Sequence, residues 1–412
     1  MTHQDPLRDT LRSRADQLGD TSPLSLDDVK GRARGIRRRR TAVSGLAAAA
    51  VLAIAVPAGI AVSDRVGSTR EADPAASPSA TTTPGEDTRD AVPRGGVEID
   101  LTTEIDETTY AAEIPMLNDR AIVLPDGSEV PVDADYSAFA PLGEGWVAVR
   151  RDDGGNALVD VLDAAGTVTS TEPTTGSLAV SADGTVVAYA TPNGELMTLV
   201  ENADPMPATQ PQALPPGILE PVGVLGSGSC VENAGGCAVY FNAEDGEQQG
   251  AYVVLANGDV TQLPDVQTIY GVTPDGVVSG VVSATDTGSC SVVLREDGKP
   301  SWKTCDHTLG QFSPDGRYVL GHPPYLDGAG DGSIAVLDAA TGDLLVEATN
   351  SAEHQSFINN VVWDTDGTLL MTVFEKGTWS LMRLTPAGSL SMVAFGLGEN
   401  MDEVPLVLPA LP

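Results

Sequence analysis

Between residues 121 and 393 the chain repeats one pattern seven times: an apolar run, a tight turn and a second run. The turns centre on Asp126, Ala165, Asn202, Asn257, Asp297, Thr341 and Pro386, at steps of 37 to 45 residues apart from one of 55. A second signature is interleaved with the first, as Ser181-Ala182-Asp183-Gly184, Thr273-Pro274-Asp275-Gly276, Ser313-Pro314-Asp315-Gly316 and Asp364-Thr365-Asp366-Gly367. Asp-Gly favours a hairpin because glycine accepts positive φ at little steric cost. Each signature joins two strands, so together they give four strands every 40 to 45 residues or about that, the period of a propeller blade. Residues 97–412 divide into seven units of about 45 residues. The expected fold is therefore all-β, a propeller of seven four-stranded blades, with six or eight as the neighbouring solutions. The first unit lacks an obvious preceding pair of strands, and residues 404–408 are the candidate supplier. Sharing a blade between the two ends of the chain would close the ring and remove exposed sheet edges.

The fullest copy of the second signature is Phe312-Ser313-Pro314-Asp315-Gly316-Arg317-Tyr318-Val319-Leu320. It resembles the WD40-like propeller repeats of the TolB type, and the resemblance extends over residues 97–412. The copies at 181 and 364 are degraded. No Gly-His…Trp-Asp signature of true WD40 repeats is present, and Trp363-Asp364 stands at the start of its repeat rather than the end.

Ahead of the repeats lie three segments of different character. Residues 41–63 carry no charge and follow Arg37-Arg38-Arg39-Arg40 directly. As a helix they would reach about 35 Å, enough for a hydrocarbon core of about 30 Å. Arginines stay on the cytoplasmic side, so residues 1–40 are expected inside and 64–412 outside. A cleaved signal peptide and a buried alanine-rich helix are the alternatives. The 40 residues before the apolar stretch argue against the first, Pro57 and the charged flanks against the second. Residues 5–18 and 25–38 read as two short helices, with Ser25 as an N-cap and arginines suiting the C-terminal end. Residues 64–96 hold almost no large apolar side chains and are punctuated by Pro74, Pro78, Pro84 and Pro93, which predicts an extended stalk.

Charge separates the two sides. Residues 1–40 hold ten basic and six acidic side chains, whereas 64–412 hold 13 basic and 52 acidic. So acidic a domain repels nucleic acid and anionic headgroups, which excludes both as partners of the propeller. All four cysteines lie in the outer part, as Cys230 with Cys237 and Cys290 with Cys305. Even count, close spacing and an exported location predict two disulfides, the second across the strands of a hairpin. Zinc would want tighter Cys-x-x-Cys spacing or interleaved histidines.

Candidate chemistry is sparse. Asp183, Asp275, Asp315 and Asp366 read as turn residues, not acids for catalysis. His307, His322 and His354 fall in three different units by sequence. No Gly-x-Ser-x-Gly elbow has a strand–turn–helix setting, and Gly226-Ser227-Gly228-Ser229 lacks the ending of a phosphate loop. Asp327 and Asp331, in a glycine-rich run, are the candidate oxygen ligands for calcium, without the spacing of an EF-hand loop. No other cofactor is indicated. The 55-residue step holds a proline-rich insertion whose Pro211, Leu214, Pro215, Pro216, Ile218 and Leu219 are candidate binding-loop residues, because long ordered loops often carry function. Arg37, Arg38, Arg39 and Arg40 fix topology and can meet lipid headgroups.

The functional expectation is a membrane-anchored, extracytoplasmic propeller in a bacterial cell envelope. It would be a non-catalytic recognition module for a protein, peptide or envelope component. One alternative is an extracytoplasmic hydrolase or lyase with its site in the propeller mouth. The other is a transmembrane sensor signalling to a cytoplasmic protein through residues 1–40.

Overall fold

The computed structural model describes residues 112–228, 237–246, 248–325, 331–349, 357–375, 377–401 and 404–411, together with a strand at 97–100. The expected cytoplasmic segment, membrane span and stalk (residues 1–96) lie outside the described residues. Among the described residues no helix is long and apolar enough to cross a membrane.

After strand β1 (Val97–Asp100), the chain forms β2 (Met116–Asn118), β3 (Ala121–Val123) and β4 (Glu129–Pro131). Blade 2 follows as β5 (Ala138–Leu142), β6 (Gly145–Arg151), β7 (Ala157–Leu162) and β8 (Val168–Pro173). Blade 3 is β9 (Leu178–Val180), β10 (Val186–Ala190), β11 (Leu196–Val200) and β12 (Met206–Pro207). Blade 4 is β13 (Ile218–Leu225), β14 (Ala238–Asp245), β15 (Gln248–Val254) and β16 (Val260–Gln262). Blade 5 is β17 (Thr268–Val272), β18 (Val278–Thr285), β19 (Gly288–Leu294) and β20 (Pro300–Thr304). Blade 6 is β21 (Thr308–Phe312), β22 (Tyr318–His322), β23 (Ser333–Asp338) and β24 (Leu344–Thr349). Blade 7 is β25 (Phe357–Trp363), β26 (Leu369–Glu375), β27 (Thr378–Leu384) and β28 (Leu390–Phe395), and the chain ends with β29 (Leu406–Val407).

Each blade is built on four antiparallel strands, and blade 1 has the order β29-β2-β3-β4. The C-terminal strand is thus the first strand of the first blade, and the expected closure from residues 404–408 is the one observed. First strands of successive blades contact one another, β5 with β9, β9 with β13, β13 with β17 and β17 with β21, so they form the innermost ring. The strand at 97–100 does not open blade 1. It pairs in parallel with the outer edge of β24, Val97 opposite Val346, and makes blade 6 five-stranded.

The core is divided in the same way, with one apolar cluster between each pair of adjacent blades. β10 shows why. Its five residues are all buried, Val186, Ala188 and Ala190 against blade 4 and Val187 and Tyr189 against blade 2. Side chains of a strand alternate between faces, so a sheet packed on both sides reads as a continuous apolar run.

The turn aspartates are committed to their own turns. Asp183 Oδ1 accepts from the Thr185 amide and the Ser181 hydroxyl, and Asp315 Oδ1 from the Arg317 amide and the Ser313 hydroxyl. Asp366 Oδ1 accepts from the Thr368 amide and Asp275 Oδ1 from the Thr273 hydroxyl. Gly184, Gly276, Gly316 and Gly367 all hold positive φ, as these turns require. In the turn without glycine, Asn202 takes that conformation at φ 59.

Candidate functional site

The topology gives the ring two unlike ends. One, the turn end, carries the connections from first to second and from third to fourth strands. The other, the junction end, carries the second-to-third connections and the segments between blades. The Asp-Gly turns fall at the turn end. The two larger of the described cavities lie at the junction end.

The first cavity, of about 560 Å³, lies over the junction end of blade 4. Pro215 and Pro216 border it, with Asp245 and Gln249 from the β14–β15 hairpin, Tyr252 from β15 and Gln262 from β16. Gln267 and Ala284 complete it from the blade 5 side. The second, of about 570 Å³, lies at the ring closure and is lined by Asp119, Asp135, Tyr136, Glu399, Asn400 and Val407 among others. Asp135 is ion-paired with Arg120 at 2.8 Å, and the Tyr136 hydroxyl donates to Asp160 at 3.0 Å. Burial and the Asp160 carboxylate push the Tyr136 phenol far above its ordinary value, so it stays a donor.

The proline-rich insertion is only part of the 55-residue step. The step also contains the connection 226–237 at the opposite end of blade 4, so the extra length is split between the two faces. Within the insertion, Pro211 opens a 3-10 turn (Pro211–Ala213) and is exposed, while Leu214 packs on the core between blades 3 and 4. Pro215 and Pro216 reach the cavity. Ile218 is 58% exposed, but Leu219 is fully buried in the core, because neighbours on a strand point to opposite faces.

Two histidines belong to one blade, not two. His307 precedes β21 and His322 ends β22, both at the junction end of blade 6. His322 Nδ1 is 2.6 Å from Asp331 Oδ2, and Asp331 in turn bridges to the Ile358 backbone of blade 7. His307 Nε2 lies 4.0 Å from Glu347. Asp331 is thus occupied by a histidine, while Asp327 and His354 lie outside the described residues. Among the described residues no three His, Cys, Asp or Glu side chains are grouped to hold a metal ion.

Cys290 and Cys305 form a disulfide across β19 and β20, in the hairpin arrangement expected. Cys237 is also disulfide-bonded, and Cys230 lies outside the described residues.

Sequence reasoning missed the bulges of the innermost strands. The innermost strands of blades 4 to 7 each carry a register shift, at Val222, Tyr270, Gly310–Gln311 and Asn359–Asn360. Such bulges re-aim side chains, and neighbouring groups catch the backbone they free. Asn242 bonds both the amide and the carbonyl of Ile269, Ser279 donates to the Gly310 carbonyl, and Trp363 Nε1 donates to the Gln311 carbonyl at 3.1 Å. Burial and the Glu220 carboxylate push the Tyr270 phenol up. A bulge adds one residue without a composition signature, so only pairing reveals it.

No family model matches the chain, and no curated protein sequence matches it. Solved structures do. The β-propeller domain of Myceliophteria thermophila Cps50 (Swd1) is similar at 12% identity and TM-score 0.44, over 62% of this chain and 84% of that one. The dihydro-heme d1 dehydrogenase NirN is similar at 15% identity and TM-score 0.43, over 72% of this chain and 76% of that one. Puromycin hydrolase is similar at 14% identity and TM-score 0.40, over 63% of this chain but 47% of that one, so less than half its length is spanned.

Proposed function

We propose that the chain is a single-pass membrane protein of a bacterial envelope that displays its propeller outside the cell as a non-catalytic recognition module, with the junction end as the binding face. The observation that carries this reading is that the two larger of the described cavities, of about 560 and 570 Å³, both lie at the junction end. Both volumes are of the size ligand pockets take, about 300–1,000 Å³. The anchored topology is supported by the uncharged residues 41–63 behind Arg37-Arg38-Arg39-Arg40. Disulfide bonding of Cys290 with Cys305 suits an oxidising compartment.

The test is protease treatment of intact cells expressing the chain tagged at each end. Release of a protected propeller fragment, with the N-terminal tag kept by the cell, is the expected result. A propeller cut only after lysis would overturn the topology.

A second reading has one observation in its favour. The His322–Asp331 hydrogen bond of 2.6 Å at the junction end is the pairing an acid–base site would use. A hydrolase or lyase working there would lose turnover on His322→Gln, whereas a recognition module would keep its ligand.

A further inference from the structure

A smaller cavity, of about 240 Å³, opens at the turn end between blades 5 and 6. The pairing of the strands brings its lining to one side of blade 5. Val278 pairs with Leu294, and both pack towards blade 4. Val277 and Arg295, one step further along the same two strands, therefore share the opposite face, towards blade 6. Val277 and Val293 pack on that side with Ala339 of blade 6. Asp275 and Asp315 come from the first turns of the two blades, and those turns touch, since a Cβ on Gly316 would lie 3.6 Å from the Thr273 methyl. On the outer side Trp302 Nε1 donates to the Ala339 carbonyl at 2.8 Å. Its ring lies over Gly342, where a Cβ would come within 2.8 Å, and this closes the cleft away from the axis.

Arg295 has no basic counterpart in the other blades. The residue that opens the turn between third and fourth strands is acidic in blades 2, 3 and 6 (Asp163, Glu201 and Asp338). In blades 1, 4 and 7 it is uncharged. Only between blades 5 and 6 does a guanidinium border a space shared with two turn carboxylates.

These charged groups keep open bonding positions. Asp275 accepts from the Thr273 hydroxyl alone, where Asp183, Asp315 and Asp366 also take an amide of their own turns. Asp315 Oδ2 is 3.9 Å from Arg317, and Arg295 Nε is 3.7 Å from Asp297, both beyond hydrogen-bond reach.

The arrangement selects the charge and size of a ligand. An anion alone would meet Asp275 and Asp315, and a cation alone would meet Arg295. A molecule carrying a carboxylate beside an ammonium satisfies both. A guanidinium takes a carboxylate through two parallel bonds, and an ammonium has three donors for carboxylate oxygens. The volume lies below the roughly 300–1,000 Å³ of drug-sized pockets, so the ligand is small. Val277, Val293, Ala339 and Ala340 offer its side chain an apolar wall.

We propose that the cleft between blades 5 and 6 binds a small apolar α-amino acid. Arg295 holds its carboxylate, Asp275 and Asp315 hold its ammonium, and its side chain rests against Val277, Val293 and Ala339. The site lies at the turn end and does not depend on the junction end being a recognition face.

The test titrates the full chain by calorimetry with alanine and valine, and with ethylamine and propionate, which carry one charge each. Alanine or valine binds, and both single-charge compounds bind at least about tenfold more weakly. Arg295→Gln and Asp275→Asn each weaken binding about tenfold, the loss expected when a charge-assisted hydrogen bond goes. Asparagine keeps an acceptor for Thr273, and unchanged thermal unfolding shows that the variants remain folded. Absence of binding by both amino acids at millimolar concentration overturns the proposal, as does binding indifferent to either substitution. Equal binding by ethylamine would make the cleft a cation site and equal binding by propionate an anion site, and either result overturns the zwitterion.

Discussion

Leu117 pairs with Val407, so the two ends of the propeller lie side by side in one sheet. Leu117 and Leu406 are both buried, at 2% and 4% exposure, and the seam is apolar. Ring closure therefore depends on two residues of β29 and the interblade core they enter. Leu406→Ala should cost about 2–5 kcal/mol, as for other large-to-small core changes. Denaturant unfolding of the propeller would show it, and a change below 0.5 kcal/mol or so would mean that the seam does not hold the ring.

Blade 2 contains a buried ionic network. Asp160 is fully buried and accepts from the Tyr136 hydroxyl at 3.0 Å, Arg150 Nε at 2.6 Å and the Thr171 hydroxyl at 2.6 Å. Asp160→Ala leaves the guanidinium of Arg150 without its partner and should cost about 3–5 kcal/mol. Replacing Asp160 and Arg150 together by apolar residues should recover part of that loss, which a double-mutant cycle measures.

The turn of blade 7 sets two carboxyls in opposite directions. Burial raises Asp364 above 3.8, so the folded protein holds this proton more tightly than the unfolded chain. Its contribution is most favourable at low pH and is lost as pH rises from 3.8 through the raised value. Burial would also raise Asp366, but hydrogen bonds from Thr368 and Arg383 hold it below 3.8. That contribution is present above 3.8 and is lost as pH falls through the lowered value. Asp364→Asn removes this titration and keeps one acceptor oxygen, where the carboxylate takes the Glu113 amide on Oδ2 and the Thr365 amide on Oδ1. Its stability relative to the parent should therefore rise with pH across the upper window. Unfolding midpoints measured between pH 3 and pH 7 or thereabouts would check the sign, and a flat difference would exclude it.

Reduction should weaken blade 5. The Cys290–Cys305 bridge closes a loop with a sequence separation of 15, worth about 3 kcal/mol by chain entropy. Cys290→Ser with Cys305→Ser should lower stability by up to that amount and abolish the response of this blade to reductant. Retained sensitivity would assign the effect to the bridge at Cys237.

Much of the fold is legible in the sequence, and it is the legible part that belongs to the turn end. All seven hairpin turns of the first pattern, from Asp126 to Pro386, join third to fourth strands, and the Asp-Gly turns at Asp183, Asp275, Asp315 and Asp366 join first to second strands. Tight turns leave local marks because their dihedral angles demand particular residues. The placement of β1 left no such mark, since a four-residue strand carries no address for the edge it joins.

Sequence alone marked the four-stranded blade, favoured seven copies over six or eight and offered residues 404–408 for closure, because these readings depend on local turn chemistry and on alternation within single strands. It also supplied Pro215 and Pro216 as residues of interest. Only the tertiary structure decided that β1 joins the outer edge of β24, that Trp363 of blade 7 reaches the Gln311 carbonyl of blade 6, and that Asp331 meets both His322 and the Ile358 backbone. Those meetings join residues from different strands and blades, and their geometry follows from how the sheets pack around the axis. No run of neighbouring residues encodes it.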